Sequence, residues 1–258
     1  GAWFRRAFFD NGAPLGSSIN SECRIDLIAQ AWSVLSGASD AAHTGPAMAA
    51  IGKHLHDEPA GLLRLLAPPF AQSTPNPGYI QAYPPGVREN GGQYPHGAWG
   101  AVMAQPLQGD HEAAWQTYEG LSPAHRSQHP ARGPVYELEP YVMAGDVYGA
   151  APYVGRGGWS WYTGSAAWLH RAAIETLLGL NVKGRQLSMT PHVPAHWPGF
   201  ELALRLGTHR LTLQWGTVEG AAAPTHHVAV GEWIDWQALP ADAVLRVAEA
   251  AGKGQMTA

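Results

Sequence analysis

The hydrophobic period of this chain changes near residue 180, and that change divides what the chain can fold into. Before it, apolar residues recur at helical spacing between long loops rich in glycine and proline; after it, they alternate. The clearest early pattern predicts a helix over 22–36. Ile25, Ile28, Ala29, Trp32 and Leu35 fall on one stripe, Asn20 or Ser21 is placed to cap it, and Gly37 to stop it. Shorter helical patterns cover 46–56, 59–67, 97–106 and 110–121. A strong one spans 163–178, opening at Thr163, turning Ala167, Leu169, Ile174 and Leu178 inward and stopping at Gly179, which makes about six helices. Downstream, Leu202, Leu204 and Leu206 alternate, as do Leu211, Leu213 and Trp215, with Gly207-Thr208 as the turn between them. Further strands are expected at 185–190, 226–230 and 243–248, and Pro191, Pro194 and Pro198 interrupt the stretch between two of them. The expected fold is mainly α over residues 1–180, followed by a small antiparallel β-module over 181–258.

Composition narrows the function classes. A net charge of -4 provides no field for nucleic acid, so none is expected as a partner. The 45% hydrophobic content is that of a packed globule. The 11 tryptophans are either a large aromatic core or flat apolar faces of the kind that stack on sugar rings. The single cysteine, Cys23, excludes an intrachain disulfide, fits a reducing compartment, and lies in the 22–36 pattern as a buried packing residue. With no run of about 18 apolar residues and no apolar signal core, the chain is expected to be soluble and cytoplasmic. It opens on Gly-Ala-Trp rather than Met and reads as a piece of something longer. His54 and His56, beside Asp57 and Glu58, stand two apart and share no helix face, and His192, His196, His226 and His227 fall in or beside strand loops, so no metal site is expected.

Three loop segments carry the chemistry. Thr163-Gly164-Ser165 opens a helix, where unpaired backbone N–H groups and the positive end of the helix dipole meet a hydroxyl and a glycine that lets an anion approach; the same residues would also serve as a plain cap. Arg88-Glu89-Asn90-Gly91-Gly92-Gln93-Tyr94-Pro95-His96-Gly97 places a carboxylate and an imidazole on either side of a tandem-glycine turn. Glu89 there could bind sugar hydroxyls and His96 an anion, or the segment is a structural loop with a satisfied histidine. Tyr136-Glu137-Leu138-Glu139-Pro140-Tyr141-Val142, followed by Gly155 through Tyr162 with Trp159 and Trp161, joins carboxylates to aromatic rings, as a saccharide cleft does and as a core also can.

Taken together, Ile25-Asp26 with Ala29-Gln30, Glu89-Asn90-Gly91-Gly92 with His96, Glu139-Pro140-Tyr141-Val142, and Gly157-Gly158-Trp159 through Thr163-Gly164 with Trp168 occur in one order and spacing. They resemble glycoside hydrolase family 94, the cellobiose and chitobiose phosphorylases, over about residues 1–215. The wording of 3–17 and of 22–26 looks closest to the C-terminal region of cyclic β-1,2-glucan synthases. The resemblance implies part of an (α/α)6 barrel followed by an antiparallel β-sandwich. It also implies inverting phosphorolysis of a β-glucan oligosaccharide, with inorganic phosphate as co-substrate and no other cofactor. It places phosphate on His96, Thr163 and Gly164, and sugar on Glu89; Tyr141, Trp159 and Trp161 are the aromatic contacts that the loop segments themselves suggest. It allows a parent protein associated with the inner membrane.

One departure stands out. The family's general acid lies in a Trp-Asn-Asp motif, and none occurs here, so the acid is expected upstream. Asp10 is the weak substitute within the chain, explained as turn chemistry in Asp-Asn-Gly; Asp26 is expected to pair with Arg24 or Arg5. A closed barrel also needs twice the six helices counted, so the face bearing Trp32, Trp99 and Trp168 is expected either to meet a missing barrel half, from a parent chain, another subunit or a second copy, or to remain an open apolar groove. Three functional readings follow: part of a phosphorylase domain, an inactive carbohydrate-binding remnant of one, or, from the 13 histidines, a metal-binding or purely structural protein.

Overall fold

The computed structural model describes residues 2–249. The chain divides into two compact units, one running to Ala172 and the other beginning at Ala173.

The first unit contains three two-residue strand pairs and seven α-helices among its described residues, five of them nine residues or longer. In order these are β1 (Ala7–Phe8), β2 (Pro14–Leu15), β3 (Ile25–Asp26), α1 (Leu27–Leu35), α2 (Ala41–His54), β4 (His56–Asp57), β5 (Leu62–Leu63), β6 (Leu66–Ala67), α3 (Pro95–Leu107), α4 (His111–Leu121), α5 (Pro123–Gln128), α6 (Gly133–Tyr136) and α7 (Thr163–Arg171). Strand β1 pairs with β2, β3 with β6 and β4 with β5. Helix α3 is the centre, packed on α1, α4 and α7, with Ala98, Trp99, Ala101, Val102 and Ala104 all fully buried.

The expected helix over 22–36 begins only at Leu27, because the chain before it is taken up in pairing. The N–H groups of Cys23, Arg24 and Leu27 donate to the carbonyls of Pro68, Ala67 and Leu65 at 2.7, 2.8 and 2.8 Å. Cys23 is buried as expected, but with φ 43° and outside any helix. Where a helix was expected over 59–67, the chain forms a turn and two short strands, β5 paired with β4 and β6 paired with β3. The cap of α1 is Asp26, whose carboxylate accepts from the N–H groups of Ile28 and Ala29. Asp26 also pairs with Arg6, not with Arg24 or Arg5. The buried face of α1 is Leu27, Gln30, Ala31 and Ser33, and Trp32, on the expected apolar stripe, is 54% exposed. Gln30 faces inward because it clasps the backbone of Phe4, accepting from its N–H at 2.8 Å and donating to its carbonyl at 2.9 Å.

Helix α7 ends earlier than expected and passes into a π-helical turn, Ala172–Leu177. Its buried positions are Ser165, Ala172 and Leu177, while Ala167 faces solvent.

The second unit holds β7 (Leu180–Lys183), β8 (Gln186–Met189), β9 (Gly199–Leu206), β10 (His209–Gly216), β11 (His226–Ala229), β12 (Ile234–Asp235) and β13 (Val244–Ala248). One sheet runs β12-β8-β7 and the other β11-β13-β10-β9. The β9–β10 hairpin is antiparallel as the alternation implies, but β13 runs parallel to both β10 and β11, so the module is mixed and not antiparallel. Alternation fixes which face of a strand is buried and says nothing of its direction. Leu187 and Met189 from one sheet and Leu211, Leu213, Val228, Leu245 and Val247 from the other share one core.

Candidate functional site

Two helix starts converge in the first unit. Trp99 of α3 donates its indole N–H to the buried Ser165 hydroxyl of α7 at 3.1 Å, which ties the first turns of the two helices together. Close by on each lie His96 and Gly164. A side chain at 164 would place its Cβ 2.9 Å from His96 Nε2. A glycine here lets the imidazole lie directly against this helix start, where a larger residue would push the ring aside. Tyr162, which precedes α7, meets the His96 ring edge-on at 4.9 Å, and its hydroxyl shares a 3.0 Å hydrogen bond with that of Tyr94. Burial holds His96 below the ordinary histidine value. Its Nδ1 is buried without a hydrogen-bond partner, so the imidazolium would bury an unpaired donor. Thr163 is exposed, and α7 has no side-chain cap, leaving its first N–H groups open.

His96 borders two cavities. One, of about 230 Å³, is also lined by Glu89, Arg6, Trp32, Tyr79 and Tyr94. The other, of about 310 Å³, is the apolar groove of Trp32, Leu35, Trp99, Met103 and Trp168. Trp99 is a floor rather than an exposed member of that groove, since it is fully buried. Thr163 and Gly164 line neither cavity.

The loop before α3 shows why Glu89 and His96 stand where they do. Between them Asn90 is fully buried: its Oδ1 accepts from Phe70 N–H at 2.7 Å, and its Nδ2 donates to the carbonyls of Phe70 and Tyr83, each at 2.8 Å. Gln93 is tied in the same way to Leu63 N–H and the Gly120 carbonyl. The tandem glycine makes the tight turn, with Gly91 at φ 85°. Asn90 and Gln93 hold the loop, and the residues flanking them are left to face the cavity.

Trp159 lies over Gly145, where any Cβ would be 2.7 Å from the indole, and the Arg88 guanidinium stacks on its ring at 4.2 Å. Trp161 points elsewhere, 66% exposed at φ 63°, with its N–H donated to Glu139 Oε1 at 3.2 Å and Tyr141 edge-on at 6.3 Å. Asp10 sits in the exposed turn between β1 and β2. A third cleft of about 440 Å³, lined among others by His56, Glu119, His125, Arg126, His129 and Arg132, is structural in part. Arg126 there donates to the carbonyls of Ala60, Gly61 and Gly120. Among the described residues, no three His, Cys, Asp or Glu side chains are grouped to hold a metal ion.

Residues 1–179 match the glycosyl hydrolase 94 superfamily, catalytic domain. The chain belongs to this family. Within it, the chain is 45% identical to the cyclic beta-(1,2)-glucan synthase NdvB of Rhizobium meliloti over 222 residues, 85% of this chain and 8% of that protein. It is 30% identical to the solabiose phosphorylase of Paenibacillus borealis over 83% of this chain and 28% of that one. It is 30% identical to the N,N'-diacetylchitobiose phosphorylase of Vibrio proteolyticus over 89% of this chain and 26% of that one. The chain thus spans under a third of the length of these glycosyl hydrolase 94 relatives. No helix among the described residues is long and apolar enough to cross a membrane.

Asp146 is the site neighbour that sequence reading missed. It is 1% exposed, accepts the Arg88 N–H at 2.6 Å, and is pushed up by burial against the opposing effect of Arg88. Its only signal was its place between Gly145 and the glycines at 157 and 158, the second of which its carboxylate packs against.

Proposed function

We propose that this chain forms part of an inverting glycoside phosphorylase domain acting on a β-glucan with inorganic phosphate. His96 Nε2, the Thr163 hydroxyl and the open N–H groups at Gly164 would hold phosphate. Glu89 and Trp159 would contact the sugars at the reacting bond, and Tyr141 and Trp161 sugars of the same chain. Phosphate oxygen attacks the anomeric carbon, the glycosidic C–O bond breaks, and a carboxylic acid protonates the departing oxygen. Phosphate is already anionic and needs positioning more than a base, which suits a helix start beside an imidazole. The acid would come from outside residues 1–258, since Asp10 lies in a surface turn and Asp26 is committed to Arg6 and the α1 cap. The helices would be one part of an (α/α)6 barrel spanning residues 1–180, with the sheets of 181–258 as an appended sandwich. The Trp32–Trp168 groove would then be covered by the remaining helices of that barrel.

The observation that carries this reading is the uncapped start of α7, where Gly164 lies directly against His96 Nε2 with no side chain between the imidazole and the open N–H groups. Phosphate titration followed by ³¹P NMR tests it. His96→Ala is expected to weaken binding on the order of 10–100-fold, the loss of one hydrogen bond to a charged group. The isolated chain is expected to bind phosphate without releasing glucose 1-phosphate, because protonation of the leaving group contributes about 10²–10⁴-fold. Release that disappears in Asp10→Asn would instead make Asp10 the acid.

A further inference from the structure

We propose that Trp161, Tyr141 and Glu139 form a separate glucan-binding platform that grips sugar units beyond those at the reacting bond. The platform presupposes that the chain handles a β-glucan, as in the function proposed for it.

Trp161 is held in two unfavourable ways at once. Its φ of 63° is in the left-handed region, where a bulky side chain crowds its own backbone. Its indole is also 66% exposed, beside a Tyr141 that is 75% exposed. The contact between the two rings is edge-on, 6.3 Å apart and tilted by 72°, a favourable pairing that still leaves most of both rings in water. What the arrangement does achieve is a fixed ring. The indole N–H is anchored on Glu139 Oε1 at 3.2 Å. The flanking residues hold the backbone: the Trp159 carbonyl accepts from Gly145 N–H at 2.7 Å, and Tyr162 N–H donates to the Met143 carbonyl at 3.0 Å. Backbone strain of this kind persists where a surrounding structure enforces it, and it concentrates at ligand sites.

The chemistry selects the ligand. Glu139 is kept ionised by its own backbone N–H, the Ser160 hydroxyl and the Trp161 indole, which hold its carboxyl below the ordinary range. An aromatic face beside a fixed carboxylate suits a neutral polyol with an apolar face and hydroxyl donors, which describes a pyranose ring. The carboxylate and the net charge of -4 disfavour a nucleic acid. His96 has Tyr94 and Tyr162 as ring neighbours, whereas Trp161 has Tyr141 and Glu139, so a sugar stacked on Trp161 is assigned to a different unit from the one that meets phosphate. One glucan long enough to reach both places would bind more tightly than a disaccharide.

Tryptophan fluorescence titrations of the full 258-residue chain with β-1,2-linked glucose oligomers of increasing length test this. Affinity is expected to rise with length, and Trp161→Ala to remove that gain, on the order of tenfold for the longest oligomer. Trp161→Gly suits φ 63° without strain and should melt no lower than Trp161→Ala while losing the same affinity. A gain with length that survives Trp161→Ala, or an equal loss for all lengths, overturns the platform; the first outcome would leave a protein surface as the occupant of Trp161, and the second would put Trp161 at the reacting bond. If no oligomer binds while His96-dependent phosphate binding persists, the platform falls and the phosphate site stands. Length-dependent sugar binding that requires Trp161, without any phosphate binding, would keep the platform and sink the phosphate site.

Discussion

The two units solve the problem of burial in opposite ways. The sheet unit turns alternate residues inward from both sheets, and its fully buried Leu213 and Leu245 are apolar at positions that strand periodicity assigns to the core. The helical unit puts Asp26, Gln30, Asn90, Gln93 and Asp146 inside and leaves Trp32, Tyr141 and Trp161 in water. Burying polar groups requires that each be hydrogen-bonded, and exposing large aromatics forgoes burial. The sheet unit also buries Gln214 and exposes Trp233, but these features concentrate in the helical unit, which is shaped by what it must present, while the sheet unit is shaped mainly by its own core.

The largest expected effect attacks the self-sufficient side of that contrast. Leu213→Ala removes a fully buried side chain from the shared core of both sheets. It should destabilise the sheet unit by about 2–5 kcal/mol, read as lost hydrogen-exchange protection in β9, β10 and β13. A change below about 1 kcal/mol would mean that the core is not the source of that unit's order. Within the helical unit, Asn90→Ala should cost about 3 kcal/mol in urea unfolding, because the Phe70 N–H and two carbonyls lose their partner in the interior. His96→Ala, in the same loop-to-helix segment, should cost much less in the same measurement and act on phosphate binding instead. Equal losses in both variants would erase the division between residues that hold the loop and residues that the loop displays.

The same division explains what could be read from the sequence. The hairpin Gly199–Leu206 and His209–Gly216 was legible because alternation and a Gly-Thr turn are local signals. The parallel placement of β13 was not, since strand direction is set by chain routing rather than by pattern. Residues 22–26 and 59–67 read as helix because their apolar spacing fits one, yet pairing of Ile25 with Ala67 and of His56 with Leu63 overrode it. Trp32 lies on the stripe the pattern located and on an open apolar groove with Trp168, as the helix count implied, whereas which residues of α1 the rest of the chain covers could not be read from the pattern. Glu89, His96 and the Thr163–Gly164 helix start could be located because glycines and a helix opening mark them locally. That Gly164 lies against the His96 ring depends on the long-range Trp99–Ser165 tie, and Asp146 on a contact with Arg88 that no spacing encodes.

The smallest expected effect is a pH dependence with two opposite signs at one residue. Burial lowers His96 in the folded chain, so the unfolded chain takes up a proton first as pH falls. The stability contributed by neutral His96 is therefore fully present above the ordinary histidine value, near 6.5, and is lost as pH falls through that value toward the lower folded one. An anion seated beside the ring at the open start of α7 acts the other way, because it favours the imidazolium and would accept a hydrogen bond from its Nε2–H. Sulfate, which keeps both charges over this range, separates the two. Its affinity should rise over the same fall in pH that weakens the fold, and both slopes should vanish in His96→Ala. A flat sulfate titration would place the anion away from His96, and a slope that survives His96→Ala would assign it to a different titrating group.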